Sequence, residues 1–173
     1  MTRRHALSGK DVRILAREVD SQIRMLLEKA DIVELWELDD KVTLFIVDGK
    51  PLFAKMKIRI EDQPVEKYVP LLTMFYLANP AYPYVKVDEG AVPRILNGAD
   101  VMRPGIREFS GDFSKGDIVA VRDPKDRTIA VTIALVSRSE CEQMQKGKVL
   151  KNIHYLGDKL SKIVSDLMKS RSS

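Results

Sequence analysis

The sequence is poor in several things. It holds one cysteine, Cys141, which rules out an intramolecular disulfide and a zinc site built from several thiolates. Its two histidines, His5 and His154, show no His-x3-His spacing, and no Cys-x2-Cys exists. A structural zinc takes four protein ligands and a catalytic one usually three. No such set is visible, so neither a metal nor a cofactor is expected. Aromatic residues make up only 6% of the chain. No apolar run reaches the roughly 18 residues needed to span a bilayer. The opening Met-Thr-Arg-Arg-His is not followed by the apolar stretch of a secretory signal. A cytoplasmic location without a membrane partner is the expectation. Asparagine (3) and glutamine (4) are scarce beside the charged residues, a leaning seen in thermophile proteins, although seven methionines weigh against it.

What is present is an ordinary globular composition: 173 residues, 45% hydrophobic and 31% charged. That is room for one domain or two small ones with a real core. Lys and Arg number 29 against 25 Asp and Glu, a net charge of +4. Residues 1–84 carry 13 basic and 13 acidic side chains, and residues 85–173 carry 16 and 12, so the whole excess lies in the second half. A phosphate-bearing partner would favour that half. Bulk basicity is not the signal, because residues 86–112 hold four basic and five acidic groups.

Residues 8–30 read as one helix. Ser8 caps it, and Val12, Leu15, Val19, Ile23 and Leu26 form an apolar stripe at three- and four-residue steps. Arg13, Arg17 and Arg24 lie off the stripe, as a solvated face or a docking surface. Strands are expected over 31–38, 41–47 and 51–60, with Asp48-Gly49 as a hairpin turn. Residues 61–67 read as polar connection, and Pro70 as the first turn of a short helix. The prolines between 70 and 83 and the change in charge balance put a domain boundary at 78–84. Beyond it come a strand at 85–87, a short helix over 88–97 delayed by Pro93 and closed by Asn97-Gly98, and a strand at 100–103. Pro104-Gly105 follows as a type II turn. Strands at 118–121 and 128–136 flank an Asp-Pro-Lys-Asp turn. The latter carries large side chains on one face and small ones on the other, as a curved small barrel requires. A helix from Ser139 to a stop at Gly147, a strand over 149–155, and a stripe of Leu156, Leu160, Ile163, Val164 and Leu167 complete the chain. The fold class is α+β.

Residues suited to catalysis are few. Residues 111–116 have the glycine spacing of a phosphate loop, but Asp117 follows where Lys-Ser is required, and a strand follows instead of a helix. Asp39-Asp40 and Asp123/Asp126 stand at turns, where aspartate serves the backbone. Cys141 has no nearby histidine, and His154 is the one acid–base candidate, without a nameable partner. The inventory points away from an enzyme.

Residues 87–106 read Val-Asp-Glu-Gly-Ala-Val-Pro-Arg-Ile-Leu-Asn-Gly-Ala-Asp-Val-Met-Arg-Pro-Gly-Ile. With Gly116-Asp117-x-Val119 and His154-Tyr-Leu-Gly-Asp158, this resembles the PUA domain, an RNA-binding module also found on pseudouridine synthases and archaeosine transglycosylases. Pro93 departs from the family's helix. The first half, with its helix, Asp48-Gly-Lys-Pro-Leu-Phe53 and the Pro70-Leu-Leu segment, resembles the pre-PUA domain of the malignant T-cell-amplified sequence and ligatin family and its archaeal single-chain relatives. The resemblance implies a pre-PUA α+β domain over 1–84 and a PUA pseudo-barrel of mixed strands over 85–158, and the last apolar stripe makes 159–173 a helical tail. It also implies a non-enzymatic role in translation initiation or recycling, with tRNA or rRNA and the small ribosomal subunit as partners.

By that resemblance, Lys86, Arg94, Asn97, Gly98, Ala99, Arg103, Gly105 and Arg107 form the RNA-binding surface. The arginines would offer forked donors to phosphate, and Gly98 and Gly105 would let backbone approach closely. Few aromatics follow Tyr84, so shape and backbone recognition are expected rather than base stacking. Neutralising about 3 phosphates gives a log–log salt slope near −2 to −3. Tight binding would then need a second contact, from the first half. Loss of Arg103 is expected to cost roughly 1–3 kcal/mol of RNA affinity. The competing readings are an RNA-modification enzyme or its accessory, and a protein-interaction adaptor.

Overall fold

The computed structural model describes residues 3–172. The chain divides into two compact units, one reaching to Pro80 and including the residues from Val164 onward, the other spanning Ala81–Ile163. Among the described residues no helix is long and apolar enough to cross a membrane.

The first unit begins with β1 (Arg3–Ala6), which the sequence reading left out. The single helix expected over 8–30 is two, α1 (Gly9–Glu18) and α2 (Ser21–Lys29). Ser8 caps α1, its Oγ accepting from Asp11 N at 3.1 Å. Val19 is extended at φ −102°, and Asp20 then caps α2 by accepting from Ile23 N at 3.0 Å. Arg24 closes the break. Its guanidinium donates to the Ala16 and Val19 carbonyls at 2.7 and 3.0 Å, which satisfies acceptors orphaned at the end of α1. Leu15, Val19 and Ile23 of the expected stripe are buried across the break, but Leu27 and not Leu26 takes the last buried position.

Strands β2 (Val33–Glu37), β3 (Val42–Val47), β4 (Lys50–Ile60) and β5 (Gln63–Pro70) join β1 in an antiparallel sheet in sequential order. Asp48 (φ 49°) and Gly49 (φ 84°) make the expected tight turn between β3 and β4. Asp48 Oδ1 also accepts from the Asp31 and Ile32 amides. Phe45 and Phe53 stack at 4.6 Å between ring centroids in the core. The stretch read as a polar connection is mostly strand β5, entered through Glu61 and Asp62, both left-handed. Pro64 and Pro70 are tolerated there because β5 is an edge strand. Pro70 therefore ends a strand and is not in the first turn of a helix. Helix α3 (Leu72–Ala78) starts after Leu71 and closes on Asn79 at φ 44°.

The second unit contains β6 (Tyr84–Val87), α4 (Val92–Ile95), β7 (Val101–Met102), a 3-10 turn (Arg103–Gly105), β8 (Ile106–Ser110), β9 (Ile118–Arg122), β10 (Thr128–Ala134), α5 (Arg138–Gln143) and β11 (Lys148–Tyr155). Helix α6 (Lys159–Ser172) ends the chain, with Leu160, Val164 and Leu167 buried along it. The sheet order is β7-β11-β10-β9-β6-β8, and β6 runs parallel to β9, so the sheet is mixed. Every residue of β10 is buried, as a central strand in a curled sheet demands. Val85, Val87, Ile95, Val101, Val119, Val121 and Leu150 belong to its core. The helix expected over 88–97 shrinks to four residues with Pro93 in its first turn. Gly105 is not left-handed, so the type II turn is replaced by 3-10 geometry. Helix α5 is capped by Ser137, whose Oγ accepts from Glu140 N.

Candidate functional site

The second unit carries a cleft of about 460 Å³ between α4, the 3-10 turn and the approach to β11. Its walls come from segments far apart in sequence. β7 and β11 bring them together: Met102 pairs with Lys148, and Arg103 N donates to Gly147 O at 2.8 Å. The backbone closes tightly beneath α4. A Cβ added to Gly105 would stand 3.1 Å from the Cβ of Ala91.

Four charged side chains line the cleft, Asp88, Arg94, Asp100 and Lys146. Both carboxylates are occupied. Asp88 accepts from Ala91 N at 2.9 Å and from Arg107 Nη2 at 3.0 Å. Asp100 accepts from Asn152 N at 2.8 Å and holds Lys148 Nζ at 3.1 Å and Lys151 Nζ at 3.8 Å. Arg94 and Lys146 are exposed, and their side chains make no hydrogen bond or ion pair among the described residues. The cleft thus presents two unengaged cations over neutralised acids.

Of the eight residues expected to form an RNA-binding surface, Arg94 and Gly105 line this cleft. Asn97, Gly98 and Ala99 are exposed in the loop after α4. Gly98 is left-handed (φ 95°) and faces the Tyr155 ring. The Asn152 amide ties this loop to α4, donating to the Ile95 and Ala99 carbonyls at 3.0 Å each. Lys86 lies outside the cleft lining and is engaged by Glu108 and Asp126, both at 3.6 Å. Arg107 is spent on Asp88. Arg103 is turned to structural work. Nε donates to Cys141 O at 2.7 Å, Nη1 reaches Ile106 O at 3.4 Å, and the guanidinium lies 5.4 Å from the Phe109 ring centre. Two of the nitrogens expected to reach phosphate are thus engaged within the fold, and Arg103 does not line the cleft.

Lys146 was missed, since in sequence it reads only as a charge before the Gly147 stop. His154 does have a partner: buried, it meets Asp158 Oδ2 through Nδ1 at 2.9 Å. Burial would raise the Asp158 pKa, but the His154 ring and the Ser161 and Tyr155 amides outweigh it and hold the carboxyl below its usual range. The pair anchors the start of α6, with Asp158 Oδ1 accepting from Ser161 N at 2.7 Å. Cys141 is buried, and burial pushes its thiol up. Asp123 accepts from the Lys125 and Arg127 amides, a turn role. Among the described residues no group of three His, Cys, Asp or Glu side chains could hold a metal ion.

The PUA domain family profile matches residues 83–156, which contain the whole cleft. An uncharacterised protein of Methanocaldococcus jannaschii is 33% identical over 91% of this chain and 94% of its own length. Translation machinery-associated protein 20 of Saccharomyces cerevisiae is 31% identical over 83% of this chain and 78% of its own length. The chain belongs to the PUA-domain family that includes translation machinery-associated protein 20 and the malignant T-cell-amplified sequence proteins. A hypothetical protein from the hyperthermophilic archaeon Pyrococcus horikoshii, 34% identical, superposes over 94% of this chain and 99% of its own with a TM-score of 0.74.

Proposed function

We propose that this protein is a non-enzymatic RNA-binding component of the translation machinery that holds an RNA backbone in the Arg94–Lys146 cleft. The observation that carries the reading is the pair of unengaged cations above two neutralised carboxylates. An arginine fork and a lysine point charge beside close-packed backbone suit phosphate and ribose, and the lining offers no aromatic platform for bases. Structured tRNA or rRNA is the ligand class, and a relative named for association with the translation machinery supports a role in translation; the small ribosomal subunit, in initiation or recycling, is the partner we propose. No cofactor is required by this role, and its setting is the cytoplasm.

Anisotropy with labelled tRNA tests the cleft. Arg94→Ala/Lys146→Ala should weaken binding across unrelated RNA sequences alike and lower the log–log salt slope by about 2. Wild-type affinity in that variant would remove the cleft from the interface. Sucrose-gradient sedimentation with small subunits tests the ribosomal partner, and absence from those fractions would limit the role to free RNA.

A further inference from the structure

Side chains alternate along a strand, so Lys55, Lys57 and Arg59 share one face of β4 at steps of roughly 6.8 Å. Lys41 stands directly opposite Lys57: Val42 pairs with Met56, and Lys57 N donates to Lys41 O at 2.9 Å. On the same face Tyr68 lies opposite Lys55, whose ammonium sits 5.5 Å from the ring centre. Glu66 lies opposite Lys57 but reaches Lys55, at 3.7 Å. Glu37 stands further across the sheet, opposite Thr43. Arg59 donates to a carbonyl, that of Asp62, which leaves its charge unneutralised. Lys41 and Lys57 are exposed, and their side chains make no ion pair among the described residues. Like charges directly opposite across a strand pair are destabilising. Glu66, opposite Lys57, and Glu18, which accepts from the Tyr68 hydroxyl at 2.8 Å, make no ion pair with Lys41 or Lys57 among the described residues.

We propose that this ladder on the first unit is a second phosphate-binding face, which takes the sugar–phosphate backbone of structured RNA. Cations repeat at two-residue steps along one row, and Lys41 beside Lys57 widens the row to a patch. Backbone recognition needs no apolar pocket. A peptide added to the sheet would use the open edge of β5, whereas these cations project from the face of β4. The choice of RNA rests on the reading of the cleft in the other unit. The ladder supplies the further contact that two cleft cations leave wanting.

Lys41→Glu in the full chain is the decisive variant, because it places a carboxylate opposite Lys57 and so relieves the repulsion within the fold. Its thermal midpoint should equal or exceed that of wild type. Its affinity for labelled bulk tRNA should fall, and its salt slope should become shallower by about 2, since one cation is lost and a second is neutralised. The same drop should appear on top of Arg94→Ala/Lys146→Ala. Unchanged affinity and slope in Lys41→Glu, while the cleft variant weakens, would overturn the ladder and leave the cleft standing. A wild-type protein that binds no tRNA would overturn both. If Lys41→Glu loses binding to polyglutamate and not to tRNA, the face serves an acidic protein and the proposal fails.

Discussion

Ala91 and Gly105 face each other so closely that a methyl on Gly105 would lie 3.1 Å from the methyl of Ala91. The glycine is required for space and not for backbone freedom, since its φ lies outside the left-handed region. Gly105→Ala should therefore destabilise the fold by about 1–3 kcal/mol through overpacking alone. Ala91→Gly in the same chain should restore most of the loss, a coupling that a double-mutant cycle in urea reads directly. Additive losses would mean that the contact is not the limiting one.

Arg103 links the Cys141 carbonyl to the Ile106 carbonyl at the start of β8, and its removal should register as lost stability. Charge-assisted hydrogen bonds of this kind are worth about 1.5–3 kcal/mol each. Arg103→Ala should lower the urea midpoint by a corresponding amount, while RNA affinity measured well below the unfolding transition changes little. A large affinity loss at unchanged stability would place Arg103 at the RNA, as the sequence suggests.

Local chemistry was legible in the sequence where one residue determines one turn. Ser8, Asp48-Gly49 and the aspartate at 123 behave as their residue types require, and the PUA motif located the second unit. The break between α1 and α2 was hidden because Val19 and Ile23 continue the stripe on either side of it, and Asp20 reads as one more polar position. Strand β5 was hidden by its prolines, which only its edge position permits. The cleft was half legible. Arg94 and Gly105 lie in the motif, but Lys146 joins them only through β7–β11 pairing. Whether an arginine is free or spent depends on carbonyls and carboxylates elsewhere in the chain, as Arg103 and Arg107 show.

Acid should probe the His154–Asp158 pair. A carboxyl held below its unfolded value of about 3.9 stabilises the fold fully above that pH and loses its contribution as pH falls through the folded value. Asp158→Asn should thus flatten the decline of the thermal midpoint below about pH 4, and Asp123, held down by Arg127 against its own burial, should leave a residual slope. Parallel curves for wild type and Asp158→Asn would show that the pair does not govern the acid limb.

Asp100 offers a change in which affinity and stability move in opposite directions. Its carboxylate holds Lys148 and Lys151, and its other oxygen takes the Asn152 amide. Asp100→Asn keeps an oxygen for that amide and removes the negative charge. Both lysines are substantially exposed, so the lost pairing should cost under about 1 kcal/mol. The cleft, however, loses its better-buried acid and gains two released cations at its border. tRNA should bind more tightly at low salt, and the log–log salt slope should steepen as more counterions are released. Tighter binding from a slightly weaker fold cannot arise from misfolding, so anisotropy and urea melts on the same preparation decide it. Unchanged or weaker binding would mean that Lys148 and Lys151 face away from the RNA path.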